Sequence, residues 1–92
     1  MRRVNLVWDK DNLEHLWHSH SSPDEVDEAL FGLEEEETYC LEFRDGDYHV
    51  FLGENGDGRL LAMAGEYLNH GTLRIFSARN MNAREKRRFR KR

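Results

Sequence analysis

From residue 38 onward the apolar residues of this chain recur at every second position, and glycine-bearing turns cut the stretch into four segments. A period of two is the mark of strands with one buried face. Asp45-Gly46 separates the run Tyr39 to Arg44 from the run Asp47 to Gly53, a two-residue hairpin signal. Asn55-Gly56-Asp57-Gly58 is a second turn, before a strand over Arg59 to Leu68. Asn69-His70-Gly71 is a third, before a strand over Thr72 to Ala78. Four strands joined by connections this short are confined to an antiparallel meander. Val4 to Trp8 is a further β-like run, predicted to join at an edge or in the centre.

The first third has helical spacing instead. Asp9 offers an N-cap, and Leu13, Leu16 and Trp17 follow at i, i+3 and i+4, giving a short helix with one apolar face. Ser22-Pro23-Asp24-Glu25 is a stronger start, with a capping serine, proline at the first helical position and glutamate three residues after the cap. Val26, Ala29, Leu30 and Leu33 form its predicted buried stripe, and Gly32 loosens its end. Trp8 and Trp17 are expected in the core. Near the C-terminus Asn82 caps a last helix, with Glu85 completing a capping-box pair. That helix is polar nearly all round and packs through Phe89. Helices followed by strands argue for an α+β fold with the helices on one face of an antiparallel sheet.

Length fixes the scale. Ninety-two residues with one proline and no repeat make a single domain over residues 1–92, which buries only about 60–65% of its unfolded surface. A partner or a homodimer would add to so thin a margin. One cysteine, Cys40, excludes an internal disulfide and fits a reducing cytoplasm; in its alternating run it reads as a small strand residue. No apolar stretch approaches the roughly 20 residues that cross a bilayer, so no membrane association is expected. The apolar run at the N-terminus stops at Asp9, too short for a signal peptide.

Charge divides the chain unequally. Residues 67–92 hold nine Lys or Arg against one acid, Glu85, while the rest holds five against seventeen. The net charge of −4 therefore hides a basic end, the electrostatic footprint of a protein that touches phosphates. Arg84, Arg87 and Arg88 of the last helix are the nucleic-acid-binding candidates, with Arg59 a further one that competes with a plain solvated turn residue. Glu34 to Glu37 is a run of four acids, read as a solvated connector or as a docking segment for basic charge. His15, His18 and His20 suggest a metal cluster, but only the first two share a helical face and no cysteine pair joins them, so no metal or other cofactor is expected.

Several of these segments together resemble a known family. Trp8-Asp9 with Asn12-Leu13, a second helix ending in Ala29-Leu30-Phe31, Leu52-Gly53 and Gly58-Arg59-Leu60-Leu61 look like successive parts of the BrnT toxins. Arg74-Ile75-Phe76-Ser77-Ala78-Arg79 resembles that family's most distinctive motif, and Ala83 to Phe89 its closing helix. The resemblance covers nearly the whole chain. It implies a fold similar to the RelE and ParE toxins, with two N-terminal helices on a small antiparallel sheet of four to five strands and a basic C-terminal helix. It also implies a metal-independent ribonuclease that inhibits translation. The implied partner is a BrnA-like ribbon-helix-helix antitoxin, joined in a hetero-tetramer.

Metal-free RNA cleavage needs a base for the 2′-hydroxyl, cations for the phosphorane and an acid for the leaving oxygen. Arg74 and Arg79 are the phosphate candidates, because an arginine fork fits phosphate bidentately. Five residues apart, they face opposite ways on a regular strand, and a bend at the strand's end would bring them together. A structural ion pair with the acidic half competes. Asp47 holds the family's acid position and His49 is expected on its face of the strand; Glu66 and Glu85 are further candidate bases, and His49 also reads as an ordinary strand residue. Three departures from the family bear on catalysis. Tyr48 stands where an arginine is usual, the stretch Glu66-Tyr67-Leu68 lacks one, and Phe89 replaces a tyrosine. The competing reading is therefore a catalytically degenerate BrnT fold kept as a partner-binding or nucleic-acid-binding module.

Overall fold

The computed structural model describes residues 5–31, 40–69 and 71–91. In chain order the elements are β1 (Asn5–Leu6), α1 (Lys10–His18), α2 (Pro23–Phe31), β2 (Cys40–Asp45), β3 (Tyr48–Glu54), β4 (Leu60–Asn69), β5 (Thr72–Asn80) and α3 (Ala83–Arg90). The five strands form one sheet in the order β1-β5-β4-β3-β2. The meander of the last four is antiparallel as its turns require. The short β1 takes an edge and runs parallel to β5, so the sheet is mixed and not wholly antiparallel. Its amides explain the direction: Asn5 donates to the Gly71 carbonyl at 2.8 Å and Val7 to that of Leu73 at 3.1 Å. A parallel neighbour needs a crossover, and the α1–α2 segment and the strands that follow it provide one.

The first hairpin loop is Gly46-Asp47, one residue later than the sequence suggests, because Asp45 pairs with Tyr48. Gly46 at the first loop position has φ +66°, the left-handed conformation that a tight hairpin demands there. The acidic run Glu34 to Glu37, Gly32 and the Leu33 stripe position lie outside the described residues.

Strand alternation builds two apolar layers. Phe51, Leu61, Met63, Leu73, Ile75 and Ala78 meet Leu16 of α1 and Val26, Ala29 and Leu30 of α2 on one side. Val50, Leu52 and Ala62 meet Met81 and Phe89 on the other. The helices therefore do not share a face: α3 covers the side opposite α1 and α2. Its one buried residue is Phe89, and this ring with Met81 is enough to hold a helix otherwise rich in charge. Trp17 is corrected as well. It is 63% exposed, because the inward positions of α1 are Asn12 and Leu16; Trp8 packs half-buried against the larger layer.

Two local constraints stand out. Gly53 lies under α2, where a Cβ would overlap the Ala29 carbonyl oxygen and sit 2.9 Å from its carbon. At the end of α1, His20 donates its amide to the Trp17 carbonyl (3.1 Å) and Ser21 to that of Leu16 (2.9 Å). This is the Schellman arrangement, and it places His20 at φ +58°, a position that glycine usually fills.

Two outcomes are expected from thermal unfolding. Gly53→Ala must push α2 off β3, so its Tm falls by more than about 10 °C, whereas a surface glycine control leaves it unchanged. His20→Gly relieves the left-handed backbone and raises stability by about 1 kcal/mol, read as a Tm increase of roughly 4–8 °C.

Candidate functional site

The arginine problem posed by the sequence is solved by a bulge. Ala64 pairs with Ser77, but the next residue, Gly65, pairs with Ile75, so Phe76 is an extra residue in β5. It reverses the alternation between Arg74 and Arg79. Their partners on β4, Glu66 and Ala62, are four apart, so both arginines leave the sheet on the side that carries α3. Four residues of strand separate them by roughly 13 Å.

They do not form one pair of forks. Arg74 donates to both oxygens of Asp9, Nε to Oδ2 at 2.9 Å and an Nη to Oδ1 at 3.1 Å. Asp9 is the N-cap of α1, in a reciprocal box with Asn12. The buried Asn12 amide donates in turn to the carbonyls of Val7 (2.8 Å) and Ile75 (3.0 Å). Arg74 thus belongs to the lashing that holds α1 against β5. Its guanidinium, followed by the Asn12 amide, keeps the Asp9 carboxyl below the usual carboxylate range.

Arg79 closes a bidentate pair with Glu85 at 2.7 and 2.8 Å. Glu85 also accepts the Asn82 amide at 2.9 Å in the capping box of α3. The Arg79 contact is the main cause that lowers the Glu85 carboxyl from its ordinary value; burial opposes it and the Asn82 amide assists. Glu85 is therefore ionised at neutral pH and a weak base while it holds Arg79.

Around this pair lies an open cleft of about 630 Å3. The floor is sheet, including Val50, Ala62, Ala64 and Ser77; α3 forms a wall with Arg84 and Arg88, and Phe43, Arg44 and Tyr48 line the end near the first hairpin. Arg88 lies over the Phe43 ring with its guanidinium carbon 3.8 Å from the centroid, a cation–π contact. Tyr48 meets Phe76 edge to face, with ring centroids 5.5 Å apart. Arg79, Arg84 and Arg88 thus border a surface floored by small and apolar side chains, whereas Arg44 pairs with His49 across the hairpin and sends its guanidinium to the other side of the sheet, its Nε on the Gly46 carbonyl at 3.0 Å. An exposed site of this kind suits an anion with a flat apolar part.

The remaining candidates lie elsewhere. Asp47 sits in the hairpin loop and is exposed, off the strand it was expected to share with His49. His49 points to the opposite side of β3 from Tyr48. Its Nδ1 is 3.0 Å from Glu42 Oε2, the oxygen that also accepts the Tyr67 hydroxyl at 3.1 Å. Burial, then the Glu42 charge, pushes that phenol up to about 12. Cys40 is pushed up to about 12 mainly by burial, the value of an inert strand thiol. Arg87 is exposed on α3 but does not line the cleft.

Arg59 is neither solvated nor in the cleft. Its Nη1 donates to the His20 carbonyl and to Glu25 Oε2, both at 2.9 Å, and its Nε to Asn80 at 2.7 Å. It fastens the end of α1 and the start of α2 to the sheet. Buried Asn55 organises the adjoining turn, accepting the amides of Asp57 (3.0 Å) and Arg59 (2.8 Å) and donating to Glu25 (3.2 Å).

The alternation rule alone would have marked Tyr48 as sharing a face with Val50. Phe43 had no signal, because its role depends on where α3 lands. Among the described residues no three His, Cys, Asp or Glu side chains gather as a metal site, and no helix is long and apolar enough to cross a membrane. No protein-family model matches the chain, and no curated protein matches it.

The two arginine–carboxylate pairs make the acid response predictable. Asp9 and Glu85 have folded values below their ordinary 3.8 and 4.5, so their stabilisation is complete above pH 4.5 and is lost as pH falls through the folded values. Asp9→Asn and Glu85→Gln keep both caps but remove the titration. Chemical denaturation between pH 2 and 7 should give each variant a flatter acid limb than the parent.

Proposed function

We propose that this chain is a BrnT-like toxin of a type II toxin–antitoxin system, and that the cleft beside α3 is where it engages the phosphates of RNA. The observation that carries the proposal is the convergence of Arg79, Arg84 and Arg88, all from the segments that resemble the BrnT family, on one open cleft. Arginine forks spaced along a groove suit a polyanionic backbone, and release of its counterions favours binding. A BrnA-like ribbon-helix-helix antitoxin neutralises the toxin in a hetero-tetramer, in keeping with the RelE-like arrangement the resemblance implies.

The cleft also suggests how cleavage proceeds without a metal. An incoming phosphate takes over the Arg79 fork from Glu85. Glu85 thereby loses the contact that most depresses its pKa and becomes a better base for the 2′-hydroxyl proton. Arg79 and Arg88 then face the charge that grows on the phosphorane. The Tyr48 hydroxyl is the cleft group able to return a proton to the leaving 5′ oxygen.

A specific observation favours the competing, non-catalytic reading. His49 and Asp47 lie outside the cleft and Arg74 is engaged by Asp9, so the fuller set of proton-transfer groups is not assembled.

Induction in bacteria, with labelled RNA tested alongside, separates the two. The parent is expected to arrest growth and cleave RNA, and Arg79→Ala with Arg88→Ala to do neither. Glu85→Gln should keep RNA affinity within about threefold and lose roughly 100-fold or more in cleavage rate. Arrest and binding that persist unchanged in Glu85→Gln establish the non-catalytic module. A parent that neither arrests growth nor binds RNA sinks the proposal.

A further inference from the structure

The BrnT resemblance accounts for the arginines of the cleft but not for its aromatic end. Tyr48 occupies a position where that family usually carries an arginine, so the chain gives up a cation there for a ring. The ring is not packed away: Tyr48 is 38% exposed, one of four large apolar or aromatic side chains so open among the described residues. It is nevertheless held in place. Phe76 braces it at 5.5 Å and 85°, and Phe76 is the extra residue of the β5 bulge. Without the bulge the alternation of β5 would not deliver this ring beside Tyr48. A fixed, exposed aromatic face thus stands at one end of a cleft whose other wall carries Arg84 and Arg88, with Arg79 on the floor between.

We infer that Tyr48, braced by Phe76, is a stacking platform for one unpaired nucleobase of an RNA strand whose phosphates lie along Arg79 and Arg88. The inference rests on the RNA-binding reading above and adds to it the part of the nucleotide that Tyr48 reads. The chemistry needs both halves. Arginines alone hold any phosphate backbone, single or double stranded. An exposed aromatic ring adds energy only when a base is free to leave its own stack and lie on it. The cleft, at about 630 Å3, lies within the size range of small-ligand sites and admits a nucleotide. Arg88 is placed for the same task. Its guanidinium carbon lies 3.8 Å from the centre of the Phe43 ring at the cleft wall, a contact made through the cation's face that leaves its N–H donors for a phosphate oxygen. A base held on Tyr48 also sets register, because only one phosphate of the strand then falls over Arg79.

The test uses the whole protein and fluorescent RNA at 50 and 200 mM salt. The probes are an unstructured RNA of about ten nucleotides, the same RNA with a single abasic position moved along it, and a blunt RNA duplex. The unstructured RNA should bind at least tenfold more tightly than the duplex. One abasic position should weaken binding about as much as Tyr48→Ala does, roughly 5- to 100-fold. The two losses should not add, since both remove the same stacked base. Tyr48→Phe should restore parent affinity, because stacking draws on the ring alone; the hydroxyl enters only in the cleavage step. The salt dependence should be unchanged in Tyr48→Ala and shallower in Arg79→Ala with Arg88→Ala. Tyr48 is exposed, so its variants should fold, and circular dichroism checks that they do.

Equal affinity of parent and Tyr48→Ala for the unstructured RNA, or equal affinity of the parent for single strand and duplex, overturns the platform while RNA binding stands. No RNA affinity at all, with tight binding of an acidic peptide instead, overturns the RNA-binding reading and the platform together.

Discussion

One extra residue in β5 organises both faces of the sheet. The bulge at Phe76 lets Ile75 and Ala78 both enter the layer under α1 and α2, although an odd spacing of three would put them on opposite sides of a regular strand. By the same shift Arg74 and Arg79 emerge together on the other side, and Phe76 reaches Tyr48. A regular β5 would bury one arginine against the helices, where an unpaired charge costs several kcal/mol. The bulge therefore serves core and cleft at once.

The two faces of the sheet are then used differently. α1 and α2 are held to the sheet by apolar packing and by polar lashings that join distant segments: Asn12 to Ile75, Arg59 to Glu25 and Asn80, and, from the other side of β5, Arg74 to the Asp9 cap. The opposite side has only α3, anchored by Phe89 and Met81, so part of its sheet stays open. Eight residues of helix cannot cover four strands. What they leave uncovered is bordered by the arginines that keep α3 polar, which is why a cleft and a basic wall occur in the same place.

Charge counting marks one end of the chain as basic but does not say which of its arginines the fold has already paired. Of the nine basic residues after Tyr67, Arg74 holds a helix cap and Arg79 a carboxylate, whereas Arg84 and Arg88 line open space. Glu85, the one acid among them, takes part in both the cap of α3 and the fork of Arg79. A basic stretch measures an average potential; which guanidinium can meet an outside anion is settled by which carboxylates the fold has already brought to it.

Local rules were sufficient wherever the cause was local. The period of two and the glycine turns specified the antiparallel meander, the caps at Asp9, Ser22 and Asn82 specified where the helices begin, and Phe89 stood out as the one large apolar ring of the last helix. The spacing of Arg74 and Arg79 even posed the question of a bend. The answers to the rest depended on contacts between residues tens of positions apart. The parallel pairing of β1, the placement of α3 opposite α1 and α2, the exposure of Trp17 and the separation of His49 from Arg74 and Arg79 were all decided there. An alternation pattern states that a strand has two faces. Which face receives a given helix depends on the volume left by the others, and only the tertiary structure decides it.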